Sequence, residues 1–484
     1  VSSRSHTART FGVNVLLLFA INAIVKPFYL FGIDRTVQNE VGSGSYGIFA
    51  TLFSFIFLFQ IFADVGLQNF SQQWISRQRG SVSSTLSKTL GLKILLSGVF
   101  LLLVLAGGAI SGYLLKYPLL FGILTINLLL NSWLLYLRTK VSGLGYYKTD
   151  SVISAMDKLW MIGIMAFLLW GWEGHNVTIY EFAFAQLLAY LLTIAYVFIW
   201  IFAKIKPIRI NWRAVIQIAV LKKAVPFALV VFLMTLFTRI DVVMIENLLP
   251  DGFYQVGAYW GGMRLLDAVN IAGYLVAGLL LPMFSNASRT EDAPVDLARA
   301  GWHFMMSAAI PLAFICYVYG EEIARLLYVD ADEEWGKIIS ILLLTFVVRS
   351  SDYVFGSLLT AYKKLAFMNR IFVGAVLLNV VLNLILLPRL DALGAAYATL
   401  ITQGTVAVVF IIYAHHKILQ VSIWKTLIRP LVLTGGLLII SVLMEYTDWI
   451  WLWEILFIIG ASLILSVALG MLSSITTLIK PRST

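Results

Sequence analysis

Cysteine is all but missing from this chain. Cys316 is the one thiol in 484 residues, which excludes an internal disulfide and says nothing of compartment. Charge is scarce as well. Asp, Glu, Lys and Arg make up 12% of the residues, against about 25% in a soluble domain. With 60% hydrophobic residues and a mean hydropathy of +0.89, a soluble fold of this length would leave apolar surface in water. The five histidines show no metal-ligand spacing, so no metal is assigned. No GxxxxGK loop occurs, which excludes ATP hydrolysis by that route. A sizeable extramembrane loop with clustered acids and bases is also missing. That makes a membrane glycosyltransferase the weakest reading, and neither an enzyme nor a cofactor is expected.

What is present is length of apolar run. Fourteen segments can be drawn, at 11–33, 46–66, 84–105, 118–137, 152–170, 177–203, 220–249, 256–281, 302–319, 338–359, 367–387, 393–414, 427–444 and 450–472. Crossing a hydrocarbon core of about 30 Å takes roughly 20 helical residues, whereas barrel strands would alternate over about 10. The fold class is therefore an all-α polytopic membrane protein with 14 transmembrane helices. Loops on one side carry 24 of the 35 Lys and Arg; the other side has only Arg35, Lys116, Arg325, Lys337 and Arg389. That asymmetry puts both termini in the cytoplasm. Lys140 is counted here among the loop residues.

The chain echoes itself at a spacing of about 213 residues. Gly44-Ser45-Tyr46 opens the second segment and Gly257-Ala258-Tyr259 the eighth. Tyr147-Lys148 recurs as Tyr362-Lys363, and Lys26 falls on Arg239. Six segments is an even number, so two such units share one orientation, as transporter halves often do. The expected organisation is an N-terminal lobe at 1–203, a cytoplasmic linker at 204–219, a C-terminal lobe at 220–417, and an added pair of spans with a tail at 418–484. These are two pseudo-symmetric six-helix lobes plus a C-terminal helix pair.

Several stretches carry a family resemblance. They are Gly44-Ser45-Tyr46-Gly47-Ile48-Phe49, Arg239-Ile240-Asp241, and Val256-Gly257-Ala258-Tyr259 with Arg264. The most specific is the run from Asn379 through Asn383 and Pro388 to Gly394-Ala395-Ala396-Tyr397-Ala398-Thr399. In these the chain resembles the O-antigen type lipid-linked oligosaccharide flippases of the multidrug/oligosaccharidyl-lipid/polysaccharide exporter superfamily. The resemblance implies alternating access between two lobes and a cationic cavity. Its implied cargo is a polyprenyl-diphosphate-linked oligosaccharide, moved from the cytoplasmic to the outer leaflet of a bacterial or archaeal cytoplasmic membrane. A coupling ion, proton or sodium, drives such a cycle. Membrane lipids and polysaccharide polymerase machinery are expected partners of a monomer, and nucleic acid is not. A peptidoglycan-precursor flippase or a cation-coupled drug antiporter of the same superfamily stays open, although drug antiporters usually have twelve spans.

Six basic residues fall within apolar segments or at their edges: Lys26, Lys93, Lys158, Arg239, Arg264 and Arg349. Lys93 and Lys158 lie near segment ends, where snorkelling to the headgroups accounts for them. The other four are the candidate substrate-binding residues, because a charge at depth costs several kcal/mol unless it faces a wet or polar interior. Guanidinium matches a diphosphate bidentately and ammonium meets it as a point charge. Asp241, Asp267, Asp352 and Asp64 are candidates for ion coupling or for charge pairs. Arg264 and Asp267 are three apart, as are Arg349 and Asp352, which places each couple on one side of a helix. A local ion pair and a cargo-facing cation are both open at each. At the repeat offset the partners of Arg264 and Arg349 are Thr51 and Leu134, so the cationic side is expected in the second lobe. Trp260, Tyr259, Tyr274, Asn270, Asn127, Asn131 and Gln186 are candidate surfaces for sugar.

Overall fold

The computed structural model describes residues 24–67, 82–204, 218–290, 294–444, 446 and 449–472. The first part of the first predicted span (11–23), most of the expected linker (205–217) and the end of the tail (473–484) lie outside the described residues. Among the described residues every regular element is helical. A bilayer permits little else, since helices satisfy their backbone groups internally.

In chain order the main helices are α1 (Ile24–Val41), α2 (Ser43–Leu58), α3 (Val82–Ile110), α4 (Pro118–Gly143), α5 (Tyr147–Ala166) and α6 (Ile179–Lys204). They continue as α7 (Ile218–Leu248), α8 (Gly252–Thr290), α9 (Val295–Val318), α10 (Glu333–Ser351), α11 (Leu365–Ala414), α12 (Trp424–Met444) and α13 (Trp451–Ala468). Among the described residues eleven helices are long and apolar enough to cross a membrane, or twelve with α1 and α2 taken as one span bent by 119°. The bend falls at Gly42, whose φ of 78° suits a residue without Cβ. Pro27 near the start of α1 is followed at once by a π-helical turn, Tyr29–Asp34, the kind of register change a helix proline induces.

α11 runs 50 residues, about 75 Å at 1.5 Å per residue, far more than one bilayer core. It is broken at Asp391, whose φ of 50° and ψ of −143° are not helical. Pro388 stands just before the break, and Ala392 N–H donates to Gln255 Oε1 at 3.4 Å, fixing the break to α8. Upstream, Asn383 donates to the Asn379 carbonyl at 3.0 Å, with both residues fully buried. The Asn379–Thr399 motif thus builds a corner between two spans. Counted so, the helices are compatible with fourteen.

The chain divides into two compact units, Val1–Glu246 and Asn247–Thr484. The division falls near the end of α7, beyond the expected linker. Glu246 accepts a hydrogen bond from Tyr113, in the turn between α3 and α4, which ties the end of α7 into the first unit. In that unit α4 packs on α6 around Leu134, Tyr136, Leu137, Ile153, Ile194 and Val197. In the second, α10 packs against α8, α9 and α11. The loop-side contact there is backbone on backbone: a Cβ on Gly336 would stand 2.6 Å from Glu321 Cα and 2.7 Å from its amide nitrogen. Gly336→Ala is therefore expected to lower the thermal unfolding temperature in detergent by several degrees. Gly374→Ala, where no atom lies within 4 Å of the new Cβ, is expected to raise it slightly, because helical Gly costs about 1 kcal/mol against Ala. Equal melting temperatures would contradict the packing at Gly336.

Candidate functional site

Each unit holds its own group of interior charges. In the second, α8 and α10 supply them. Arg349 is 8% exposed, and its electrostatic neighbours are Tyr353, Tyr274, Asp267 and Asp352. Tyr353 O–H donates to Asn270 Oδ1 at 2.8 Å, and Tyr274 meets the Tyr353 ring edge-on at 5.3 Å between centroids. One turn up α8, the Arg264 guanidinium lies 5.0 Å over Trp260, a cation–π arrangement. The packing of α10 on α8 puts Asp267 in the electrostatic surroundings of Arg349, which one-helix reasoning does not give.

Arg349 and Asp352 do not form the ion pair that three-residue spacing suggested. Both Asp352 carboxylate oxygens are shut off from solvent and accept no hydrogen bond. The reason is local. Asp352 opens a π turn, Asp352–Gly356, which changes the angle per residue where the two side chains would meet. π turns concentrate at functional sites, and this one leaves an unsatisfied carboxylate beside a buried guanidinium.

The first unit also holds interior cations, besides those of the second, where the repeat offset places the cationic side mostly. Arg239 belongs to it, with its guanidinium 5.7 Å from the Phe57 ring of α2. Asp241 is fully buried two residues on. Lys93 does not snorkel: it is 0% exposed, donating to the Ala63 carbonyl at 2.9 Å and to Ser132 Oγ at 2.6 Å. Lys140 is not in a loop either. It too is 0% exposed, near the end of α4, with Thr89 Oγ1 at 3.5 Å and the Tyr136 ring at 4.3 Å. Sequence position placed both near segment ends, and only the packing of α3 on α4 reveals that the ends are inside protein.

Asp64 follows the short turn Gln60–Ala63. It lines a cavity of about 300 Å³ with Phe57, Gln60, Asn131, Ser132, Phe232 and Thr235, among others. Its field reaches both Lys93 and Lys140. Lys26 stands apart, half-buried on α1 in the field of Arg138, Asp157 and Lys158. Lys158 pairs with Asp157 at 3.3 Å and sits 4.6 Å over Tyr29. Of the sugar candidates, Asn127 is taken up by Ala183 and Gln186, joining α4 to α6. Trp260 and Tyr259 are fully buried, Tyr274 is exposed, and Asn131 faces the cavity.

Two groups of interior charge thus stand on a multi-pass helical frame. A lipid II flippase MurJ in an inward closed conformation matches over 96% of this chain and 100% of its own, with a TM-score of 0.67 at 15% identity. An inward-facing multidrug resistance MATE family transporter of the MOP superfamily covers 84% of this chain and 99% of its own, at 0.56 and 15%. A MOP superfamily transporter from Pyrococcus furiosus covers 85% and 97%, at 0.57 and 14%. At such identity the likeness is one of fold. No curated protein matches the sequence significantly. Residues 13–288 match the family model described as polysaccharide biosynthesis protein, and the chain belongs to that family.

Gly273 is what lets Tyr353 reach Asn270, since a Cβ there would run into the Tyr353 ring. Gly273→Ala is expected to destabilise the protein more than Tyr353→Phe, which removes one hydrogen bond worth about 1 kcal/mol. Thermal unfolding of both variants orders them, and the reverse order would contradict this geometry.

Proposed function

We propose that the protein is a flippase that moves a polyprenyl-diphosphate-linked oligosaccharide from the cytoplasmic to the outer leaflet by alternating access, driven by an ion gradient. The observation that carries this reading is a polysaccharide-biosynthesis family chain on a flippase-type fold with a buried guanidinium at Arg349. A diphosphate needs compact positive charge with directed donors, and Arg supplies both. Arg349, Arg264 and Arg239 are the proposed phosphate ligands, with Lys26 a more distant cation. Asn270, Tyr274 and Tyr353 offer hydroxyl and amide groups to sugar. The lobes are proposed as the two repeat units, both termini as cytoplasmic, and the chemistry as transport rather than catalysis.

The test is reconstitution in liposomes with a fluorescent polyprenyl-diphosphate sugar and leaflet-specific quenching. Initial flip rate is read per folded molecule for wild type, Arg349→Ala and Arg349→Lys. A charge-assisted hydrogen bond contributes about 1.5–3 kcal/mol, so alanine should slow flipping by roughly 10- to 100-fold. Lysine should retain part of the rate. A wild-type rate in Arg349→Ala would remove Arg349 from the phosphate site. No flipping by wild type of any polyprenyl-diphosphate sugar would remove the flippase reading.

A further inference from the structure

Four helix ends meet at one end of the second unit: the start of α9, the end of α11, the start of α12 and the end of α13. Hydrogen bonds join three of them. His415, in the π turn after α11, directs Nδ1 at the Ile411 carbonyl at 2.8 Å and Nε2 at the Thr426 hydroxyl of α12 at 2.9 Å. Arg429, one turn along α12, donates from Nη1 to the Gly470 carbonyl just past α13 at 3.0 Å. α12 in turn packs on α9, where the Thr426 backbone faces His303. Arg299 stands four residues before His303, on the same side of α9.

His415 and Thr426 satisfy each other, but the α9 side is left with unspent donors. His303 is 0% exposed, and neither ring nitrogen makes a hydrogen bond of ordinary geometry. Arg299 Nε is shut off from solvent and donates to nothing. Its Nη1 reaches Asp296 only at 3.8 Å, and that carboxylate is 68% exposed. The contact of Arg429 is with a neutral carbonyl. Besides Asp296, the acids at this end of the chain's helices are Glu291 and Asp292, which lie outside the described residues. Asp267 and Asp352 belong to the Arg349 group, and the unit's other carboxylates fall in the chain at the opposite helix ends.

The surroundings say what these donors suit. Guanidinium and imidazole N–H groups brought together call for an anion with several acceptor oxygens, and phosphate is one that Arg binds bidentately. The face of α12 beside Arg429 is apolar and exposed, at Ile428, Leu431 and Val432. On a membrane helix such a face lies against acyl chains. Trp424, exposed at the start of α12, and Lys425 next to it mark the level of the headgroups. Arg299, Lys417, Lys425 and Arg429 all belong to the more basic set of loops, on the side expected to be cytoplasmic. Basic pockets between helices on that side bind anionic lipid headgroups.

We propose that Arg299, His303 and Arg429 form a binding site for the phosphate of an anionic phospholipid, whose acyl chains lie along the exposed face of α12. Arg299 and Arg429 supply charge from α9 and α12. His303 supplies an N–H at the base of the site, for which a neutral ring suffices. A phosphate held between the two helices ties the added pair, α12 and α13, to α9. The site shares no residue with the Arg349 group, and its occupancy does not depend on what the protein carries.

Thermal unfolding of the purified full-length protein in neutral detergent tests it, with phosphatidylglycerol, phosphatidylcholine or inorganic phosphate titrated in. A ligand of the folded state raises the unfolding temperature as its concentration rises. Phosphatidylglycerol should raise it by several degrees in wild type, and the other two by little. Arg299→Gln and Arg429→Gln should each need roughly tenfold or more phosphatidylglycerol for the same rise. Lys417→Gln, which changes an exposed lysine outside the site, should need the wild-type amount. An equal rise with both lipids, or equal weakening by Lys417→Gln, would mean general solvation or surface charge and overturn the site. An equal rise with inorganic phosphate would mean a soluble anion and overturn the lipid assignment. For variants that do not fold, wild type is photolabelled with phosphatidylglycerol carrying a diazirine in its acyl chain. Label should concentrate on residues 424–432, and label spread evenly over the exposed helix faces would overturn the proposal.

Discussion

A charge held where water cannot reach must be compensated by a neighbour, and the interior of this protein is arranged by that requirement. Apolar side chains facing lipid gain little from choosing one neighbour over another, because hydrocarbon is equally apolar. Interior polar groups have no such freedom. Lys93 closes the space between the turn after α2, α3 and α4 by donating to Ala63 and Ser132. Tyr353 holds α10 to α8 through Asn270, over a glycine that has no side chain to obstruct it. The positions of the helices follow from where these groups find partners.

The two units meet the requirement differently. In the second, the guanidinium of Arg349 sits among phenols and carboxylates, and the π turn at Asp352 leaves acceptors unspent. Such a group has capacity for polar cargo. In the first, Lys93 and Lys140 are held by a carbonyl, hydroxyls and an aromatic ring, beside a cavity.

The fold was legible because bilayer thickness fixes the length of an apolar run, so each run announces a helix without any knowledge of its neighbours. The corner at Asp391 was legible too, since Pro388 and Gly394 interrupt what would otherwise read as one continuous helix. The sites were less so. Arg239, Arg264 and Arg349 stood out because each lies far from the ends of its segment. Lys93 and Lys140 lie near segment ends, and nothing in one dimension tells an end in the headgroups from an end inside protein. The Arg349–Asp352 spacing misled for a related reason: it assumes a uniform 3.6-residue step, and a π turn abolishes that step without any proline to mark it. Contacts across helices, such as Tyr353 to Asn270, depend on packing that no local pattern encodes.

The central claim is the proposal that this protein moves a lipid-linked oligosaccharide across the membrane on an ion gradient. The most direct test is the flip rate of a fluorescent polyprenyl-diphosphate sugar in liposomes at constant membrane potential, with a proton gradient imposed against the direction of cargo movement. The account predicts a rate that rises with that gradient, or with a sodium gradient imposed in the same sense. A rate indifferent to both gradients would contradict it.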